Sequence, residues 1–428
     1  MTTTSDMFDG LMTNLTVDTS DKIAQRRDEI TKSLNLEFRS IEGSTANKLM
    51  VGSYGRWTAT RGISDLDLLF ILPTSVRNEY TKAGGPSRLL ARVRKAIEKR
   101  YANTSVTVDR LVVVVHFKDF KFEVQPVFEN TESYSYPDTK SDSWKLTKPR
   151  AEIDEMRAEN IRTNGSLRRL CKLVRAWKNK HGVPIGGLLI DTLVYNFIGG
   201  RTEFHSSSSV FDDEMTKEFF LFLAEEEDHD FYAAVGSKQR VAVKGRFQPK
   251  ARKAYNLALK AIEADGQKNA YKKWRDIFGR VVPAPASDAL AASAARFADT
   301  EEFVEDSYRV DIRYSVGIDC EVTQDGFRPS MLREMLQRRT WLLPRKQLKF
   351  RIVHTDVPGP FVVRWKVLNR GPEAERRDAI RGGLIEPNFG RERHETTSFS
   401  GTHYVECYLI QDGTVVARDD IEVPITTS

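Results

Sequence analysis

Hydrophobic positions change their spacing twice along the chain, and each stretch predicts a different architecture. The first clear periodicity runs from Asp18 to Arg39, where Ile23, Ile30 and Leu34 recur near helical spacing behind Asp18 and Ser20 as candidate N-caps. After Gly43 and Ser44 come Leu49 to Val51, a turn at Gly52-Ser53, and a strand pattern through Leu66–Leu72 that Pro73 stops. A basic helix (Ser87 to Tyr101) precedes the β-branched run Val112 to Phe117, which reads as a buried strand. From Phe120 to Phe128 the chain alternates, with Phe120, Phe122 and Val124 on one face and Lys121, Glu123 and Gln125 on the other. This is a helix leading into a mixed sheet.

From Ala151 to about Phe278 the pattern turns helical, with Leu167, Leu170, Val174 and Trp177 on one stripe and Leu188, Leu189, Leu193 and Phe197 on another. Pro283–Asp288 and the alanine-rich stretch after it read as a linker. Beyond Ser307 short strand-like runs take over: Tyr308–Val316, Leu348–Val353, Phe361–Val367, Thr402–Ile410 and Val415–Val423, separated by Pro- and Gly-containing turns. That spacing predicts an antiparallel β-sandwich. The expected domains are residues 1–200, a catalytic core; 201–300, a helical region and linker; and 301–428, the sandwich.

A length of 428 residues is more than one hydrophobic core usually manages, and 40% hydrophobic with 29% charged residues excludes wholesale disorder. No apolar run approaches the roughly 18 residues of a membrane span, and the N-terminus lacks the basic and apolar regions of a signal peptide. Cys171, Cys320 and Cys407 lie far apart with no CxxC pair, so neither a disulfide framework nor a zinc knuckle is expected. A reduced, cytoplasmic protein follows. The net charge of +6 is a mild excess; it permits a polyanionic substrate such as a nucleotide without demanding long nucleic acid.

The candidate chemistry lies between Gly52 and Glu123. On an extended strand Asp65 and Asp67 point to the same face, and two adjacent carboxylates repel unless a cation sits between them. Divalent ions are the usual solution, and Glu123 on a neighbouring strand would complete a trio, with Asp119 or Glu129 as alternatives. Three carboxylates and a Gly-Ser turn able to cradle phosphate are what phosphoryl transfer through two Mg²⁺ or Mn²⁺ ions requires. Lys172 and Arg175 lie three apart on one helical face, as surface cations flanking a core stripe also do; Tyr54 and Tyr195 are candidates for stacking on a base, against the plainer role of core aromatics.

The ordered motifs Gly52-Ser53-Tyr-Gly-Arg-Trp-Thr58, Ser64-Asp-Leu-Asp-Leu68 and Phe122-Glu-Val-Gln-Pro126 resemble the polymerase-beta-type nucleotidyltransferase core. More narrowly, they are similar to the bacterial relatives of cyclic GMP-AMP synthase and oligoadenylate synthase, the CD-NTases of anti-phage signalling. The segments Tyr136-Pro137 and Trp144–Pro149 and the helix Leu170–Lys178 extend the resemblance. It implies an α/β (α+β) fold with a helical half; Asp65, Asp67 and Glu123 as catalytic metal ligands; and Gly52, Ser53, Arg56, Thr58, Lys172, Arg175 and Tyr195 around the nucleotide. The chain departs from that pattern at Trp57, where a small residue is common, at Glu123, where aspartate is usual, and at Gly186-Gly187, where relatives often place a serine.

Phe361–Gly371, Ile380–Gly382 and Gly401–Tyr408 resemble a second unit, the adenylyl/guanylyl cyclase and SMODS C-terminal sensor domain. Arg364, Lys366, Arg370, Arg381 and His403 are its candidate anion-binding residues, against a plain basic solvent face. The resemblance implies a metal-dependent nucleotidyltransferase that joins nucleoside triphosphates into a cyclic or linear oligonucleotide signal for an effector protein elsewhere. A short oligonucleotide would be its product or ligand, and no membrane is involved. Two rivals stand beside this reading: nucleotide transfer onto a DNA, tRNA or protein acceptor, and a nucleotide-sensing regulator whose retained carboxylates count against it.

Overall fold

The computed structural model describes residues 3–206, 208–285, 302–323, 328–340, 342, 344–369, 382–397 and 401–425. Two compact units divide it: one of residues 1–176 and 185–283, the other of residues 177–184 and 284–428.

In the first unit, helix α1 (Thr4–Leu15) precedes α2 (Ser20–Arg39). The periodicity that identifies α2 also runs through α1, whose Phe8, Leu11 and Leu15 are buried. Neither candidate cap of α2 acts: its N-cap is Thr19, with no side-chain hydrogen bond. Strand β1 (Lys48–Met50) leads into a four-residue helix, α3 (Gly52–Gly55), where a turn is expected, and then β2 (Asp65–Ile71). Helices α4 (Arg77–Tyr80) and α5 (Gly85–Arg100) are followed by β3 (Ser105–Val108), β4 (Val113–His116), β5 (Lys121–Glu129), β6 (Tyr134–Asp138) and β7 (Ser143–Thr147). They form one sheet in the order β1-β2-β5-β4-β3, with β6 and β7 extending from β5. Only β2 and β5 run parallel; the other neighbours are antiparallel.

One face of this sheet is apolar. Leu66, Leu68 and Phe70 of β2 and Phe122 and Val124 of β5 pack against Ile30 and Leu34 of α2 and Leu89, Val93 and Ile97 of α5. Each such side chain, fully buried, contributes about 1.5–3 kcal/mol. Because strand side chains alternate, burying that face turns Asp65, Asp67, Lys121 and Glu123 to the opposite one.

The helical half follows as α6 (Pro149–Arg162), α7 (Ser166–His181), α8 (Gly187–Ile198), α9 (Asp212–Glu225), α10 (Gln248–Glu263) and α11 (Ala270–Phe278). A short hairpin of β8 (Phe231–Ala233) and β9 (Arg240–Ala242) interrupts it, which the helical pattern does not announce. No helix among the described residues is long and apolar enough to cross a membrane.

The second unit is a β-sandwich. Its five-stranded sheet has the order β10 (Arg309–Val310), β18 (Thr414–Ile425), β17 (Gly401–Gln411), β14 (Val362–Asn369) and β15 (Leu384–Ile385). The four-stranded sheet has the order β12 (Ser330–Met331), β11 (Val316–Thr323), β13 (Gln347–Thr355) and β16 (Arg393–Thr396). Ile318, Cys320 and Phe350 from one sheet share a core with Trp365, Cys407, Leu409 and Ile421 from the other. The expected strand Tyr308–Val316 is corrected: the long strand starts at Val316, and its alternating burial runs to Thr323.

Residues 311 and 312 serve the end of α7 instead, which belongs to this unit. Lys178 pairs with Asp311 at 3.2 Å, and the Asn179 amide bonds the Val310 carbonyl and the Ile312 N–H, both at 3.1 Å. Gly182, at φ +60°, lies so close that a Cβ would meet the Arg418 carbonyl oxygen at 2.2 Å. Gly182→Ala adds a left-handed alanine to a clash with backbone, and is expected to cost about 3 kcal/mol. Scanning calorimetry should show a lowered transition; an unchanged thermogram would contradict this packing.

Candidate active site

The parallel register of β2 and β5 sets Asp67 opposite Glu123 and Asp65 opposite Lys121. Four charged side chains therefore occupy neighbouring corners on the open face of the sheet. The Lys121 ammonium lies 3.1 Å from Glu123 Oε1 and 3.6 Å from Asp65 Oδ1. Among the described residues no three acidic, histidine or cysteine side chains gather around one point that could hold a metal ion. Here the lysine takes the cation's place between two of the carboxylates. The donor chemistry still suits a hard divalent ion, since all three acids offer oxygen and remain partly open to solvent.

The Gly-Ser segment meets this group directly. At Gly52, with φ +63°, a Cβ would stand 1.9 Å from Asp67 Oδ2, so the carboxylate rests against a glycine that no other residue can replace without displacing it. A cavity of about 380 Å³ opens here, lined by Asp67, Glu123 and Gln125 and by Asp109 and Arg110 from the β3–β4 connection. Arg110 is held by Asp138, which also accepts from Lys145 at 2.7 Å; the Arg110 bond keeps that carboxyl well below the usual range.

Behind the Gly-Ser segment lies a buried ionic network. Asp191 of α8, fully buried, accepts from Arg56 Nε at 2.8 Å and Thr58 Oγ1 at 3.1 Å, and pairs with Arg175 Nη1 at 2.7 Å. Arg56 also reaches Glu152 at 3.2 Å, whose other oxygen accepts from Ser237 at 2.9 Å. Burial raises the Asp191 carboxyl pKa, but Arg175 and Arg56 more than offset it and bring it down to about 2. Glu152 moves the other way, raised by burial despite Arg56. Thr58 and Ala59 in turn donate their N–H groups to the Ser53 carbonyl at 2.9 and 3.1 Å, so Asp191 fixes the segment that follows Gly52-Ser53.

The predicted nucleotide-binding residues thus divide. Gly52 sits against Asp67, with Ser53 next to it in α3, whereas Arg56, Thr58 and Arg175 are buried with their polar groups turned to Asp191. Lys172 is half-buried on α7, its pKa lowered by burial and by Arg168 and Arg175. Tyr195 donates to Glu155 of α6 at 2.5 Å; that bond and burial push its hydroxyl up to about 12. Tyr54 packs on the sheet core. Trp57 holds φ +62° and is 68% exposed, with the Arg168 guanidinium 5.8 Å from its ring centre.

Of the candidate anion residues that are described in the second unit, Arg364 and Lys366 lie on one face of β14 and His403, across from Asn369, on the other. Arg364 pairs with Glu386 at 3.0 Å, Lys366 is buried with its ammonium 4.8 Å from the Phe303 ring, and buried His403 bonds Asn369 at 2.9 Å. Arg370 and Arg381 lie outside the described residues. Asp191 and Asp138 are the buried supports of these side chains that sequence reading passes over. Asp191 had a signal: a lone acid in the apolar run Leu188–Val194 has to be paired.

A mixed sheet carrying this acidic face, beside a helical half, is the polymerase-beta-type nucleotidyltransferase fold. Comparison with known proteins agrees. Residues 1–160 match the model of the Second Messenger Oligonucleotide or Dinucleotide Synthetase domain, and residues 298–426 match the Adenylyl/Guanylyl and SMODS C-terminal sensor domain. A cyclic AMP-AMP-AMP synthase from Acinetobacter sp. is 23% identical over 288 residues, covering 60% of this chain and 78% of the relative. Among solved structures, a mutant of the Vibrio cholerae di-nucleotide cyclase DncV shares the fold at TM-score 0.53 and 14% identity, covering 66% of this chain and 97% of that one. CdnC of E. coli MS115-1, in complex with HORMA-deltaN, does so at TM-score 0.50 and 15% identity, covering 65% and 98%. The chain carries a synthetase domain of the kind found in bacterial CD-NTases and a C-terminal AGS-C domain. It is an enzyme, a nucleotidyltransferase that makes oligonucleotide second messengers.

Two substitutions test the supports. Asp191→Asn removes the buried carboxylate that Arg56 and Arg175 share, leaving Glu152 as the counter-charge of Arg56, and is expected to cost about 3 kcal/mol in urea unfolding. The depressed pKa of Asp191 gives stability that is complete above its ordinary value of 3.8 and lost as pH falls towards about 2. The wild type should therefore shed about 2 kcal/mol more than the variant over that interval. Gly52→Ala pushes the Asp67 carboxylate aside, and turnover should fall on the order of 10²-fold; an active Gly52→Ala enzyme would dissociate that contact from catalysis.

Proposed function

We propose that this enzyme joins nucleoside triphosphates into a cyclic oligonucleotide in a divalent-metal-dependent reaction at Asp65, Asp67 and Glu123, releasing pyrophosphate. The observation that carries the reading is the β2–β5 register, which sets these acids on one open face beside Gly52 and the cavity. The cyclic product is supported by the name of the Acinetobacter relative. Its role is that of a cytoplasmic signal in defence against phage, read by a nucleotide-responsive effector protein.

Asp65, Asp67 and Glu123 would hold two Mg²⁺ or Mn²⁺ ions. When bound, these supply neutralisation of the triphosphate and a lowered pKa for the attacking hydroxyl. The chain's own residues do the positioning. Gly52 lets the phosphates approach Asp67 without a side chain in the way, and the N–H groups of the short α3 helix and the Ser53 hydroxyl cradle them. Lys172 on α7 meets the triphosphate's charge. Arg56, Thr58 and Arg175 act from behind, through Asp191, by keeping the Gly-Ser segment in place.

The purified protein, incubated with each labelled nucleoside triphosphate and Mg²⁺ or Mn²⁺, is expected to yield small cyclic products by mass spectrometry. Label found only on added DNA, tRNA or protein would favour transfer to a macromolecule instead. Asp67→Asn and Glu123→Gln should each lose about 10²-fold or more in rate, while Glu123→Asp keeps partial activity. Full activity in Glu123→Gln would move the third ligand elsewhere.

A further inference from the structure

We propose that Lys121 is the built-in counter-cation of the carboxylate group. Its ammonium occupies the site while no divalent ion is bound and leaves when one enters, so the free enzyme binds metal weakly and takes it up together with the triphosphate. The inference rests on the assignment of Asp65, Asp67 and Glu123 as ligands and names what competes for them.

The register places Lys121 opposite Asp65 and two residues before Glu123, on the same face as both. The Nζ distances of 3.1 Å to Glu123 and 3.6 Å to Asp65 make one ammonium the shared partner of two of the three acids. Three carboxylates on one patch carry three negative charges, and the lysine reduces that to two without any ion from solution. The Lys121, Asp65 and Glu123 side chains are each about a quarter exposed and Asp67 is partly exposed, so an ion from solvent can reach the patch.

The exchange needs only a side-chain movement. The Lys121 backbone is fixed in the sheet, with its N–H donating to the Ser64 carbonyl at 2.8 Å, whereas its flexible four-carbon stem can carry the ammonium elsewhere. A nucleoside triphosphate makes the swap favourable, because it delivers the divalent ion and offers its own phosphates to the displaced ammonium. Lys121 is in this sense a positioning residue: it acts on catalysis through the carboxylates it holds.

The test is titration of Mn²⁺ alone into the full chain, followed by the electron paramagnetic resonance signal of free Mn²⁺, with and without a non-hydrolysable triphosphate analogue. Without nucleotide, Lys121→Met is expected to bind Mn²⁺ about tenfold more tightly than wild type, equivalent to about 1.4 kcal/mol. Lys121→Arg, which keeps the cation, should stay within about threefold of wild type. With the analogue present, the advantage of Lys121→Met should shrink. Equal nucleotide-free affinity in wild type and Lys121→Met overturns the inference while leaving the ligand assignment standing. If the double variant Asp65→Asn, Asp67→Asn binds Mn²⁺ as the wild type does, the ligand assignment fails, and the inference with it. Should Lys121→Met not fold, Lys121→Gln removes the same charge and is read the same way.

Discussion

The parallel pairing of β2 with β5 is the constraint that the catalytic unit is organised around. It is the only parallel pair in its sheet, and its register forces Asp67 against Glu123. Like charges directly across a strand pair are unfavourable, so the pairing has to be held by something else. What holds it is the other face of the same strands, where Leu66, Leu68, Phe70, Phe122 and Val124 are buried under two helices. A slip by one residue would bury the acids and expose the apolar row, a change far larger than the repulsion it would relieve. The acidic patch is thus kept in place by a core on the opposite face of the sheet.

Around that patch the chain manages charge at two depths. At the surface, Lys121 offsets the acids with a flexible ammonium. In the interior, Asp191 offsets Arg56 and Arg175, two cations that burial alone would make costly. The contrast matters for function. An exposed pair can open for an ion or a phosphate, whereas a buried one, fully desolvated and bonded, fixes the backbone it is attached to. The helix that carries Arg175 also contributes its last turn to the second unit through Lys178 and Asn179.

Alternation and periodicity made much of the architecture legible. The strand with Asp65 and Asp67, the alternating strand through Glu123 and the basic helix before it are all readable from side-chain spacing, because each buries one face. Elements whose burial is set by distant partners were not. The long strand beginning at Val316 was placed too early, since residues 309 and 310 pair only briefly with β18, while the Val310 carbonyl, the Asp311 carboxylate and the Ile312 N–H meet the end of α7. The β8–β9 hairpin left no pattern, because its strands of three residues expose part of every side chain.

The sequence by itself determined which residues are the candidates for the chemistry: two carboxylates at strand spacing, a third acid on another alternating strand, and a glycine before a serine. Those follow from local periodicity, which is a property of neighbours in the chain. Only the tertiary structure decided what each charge faces. Arg56 and Arg175 read as cations awaiting phosphate, yet they are turned to an aspartate 135 residues beyond the first of them. Lys121 reads as one more solvent-facing cation, yet it sits between two of the acids. Electrostatic partnership falls off with distance in space and not with separation in sequence, so no one-dimensional pattern records it.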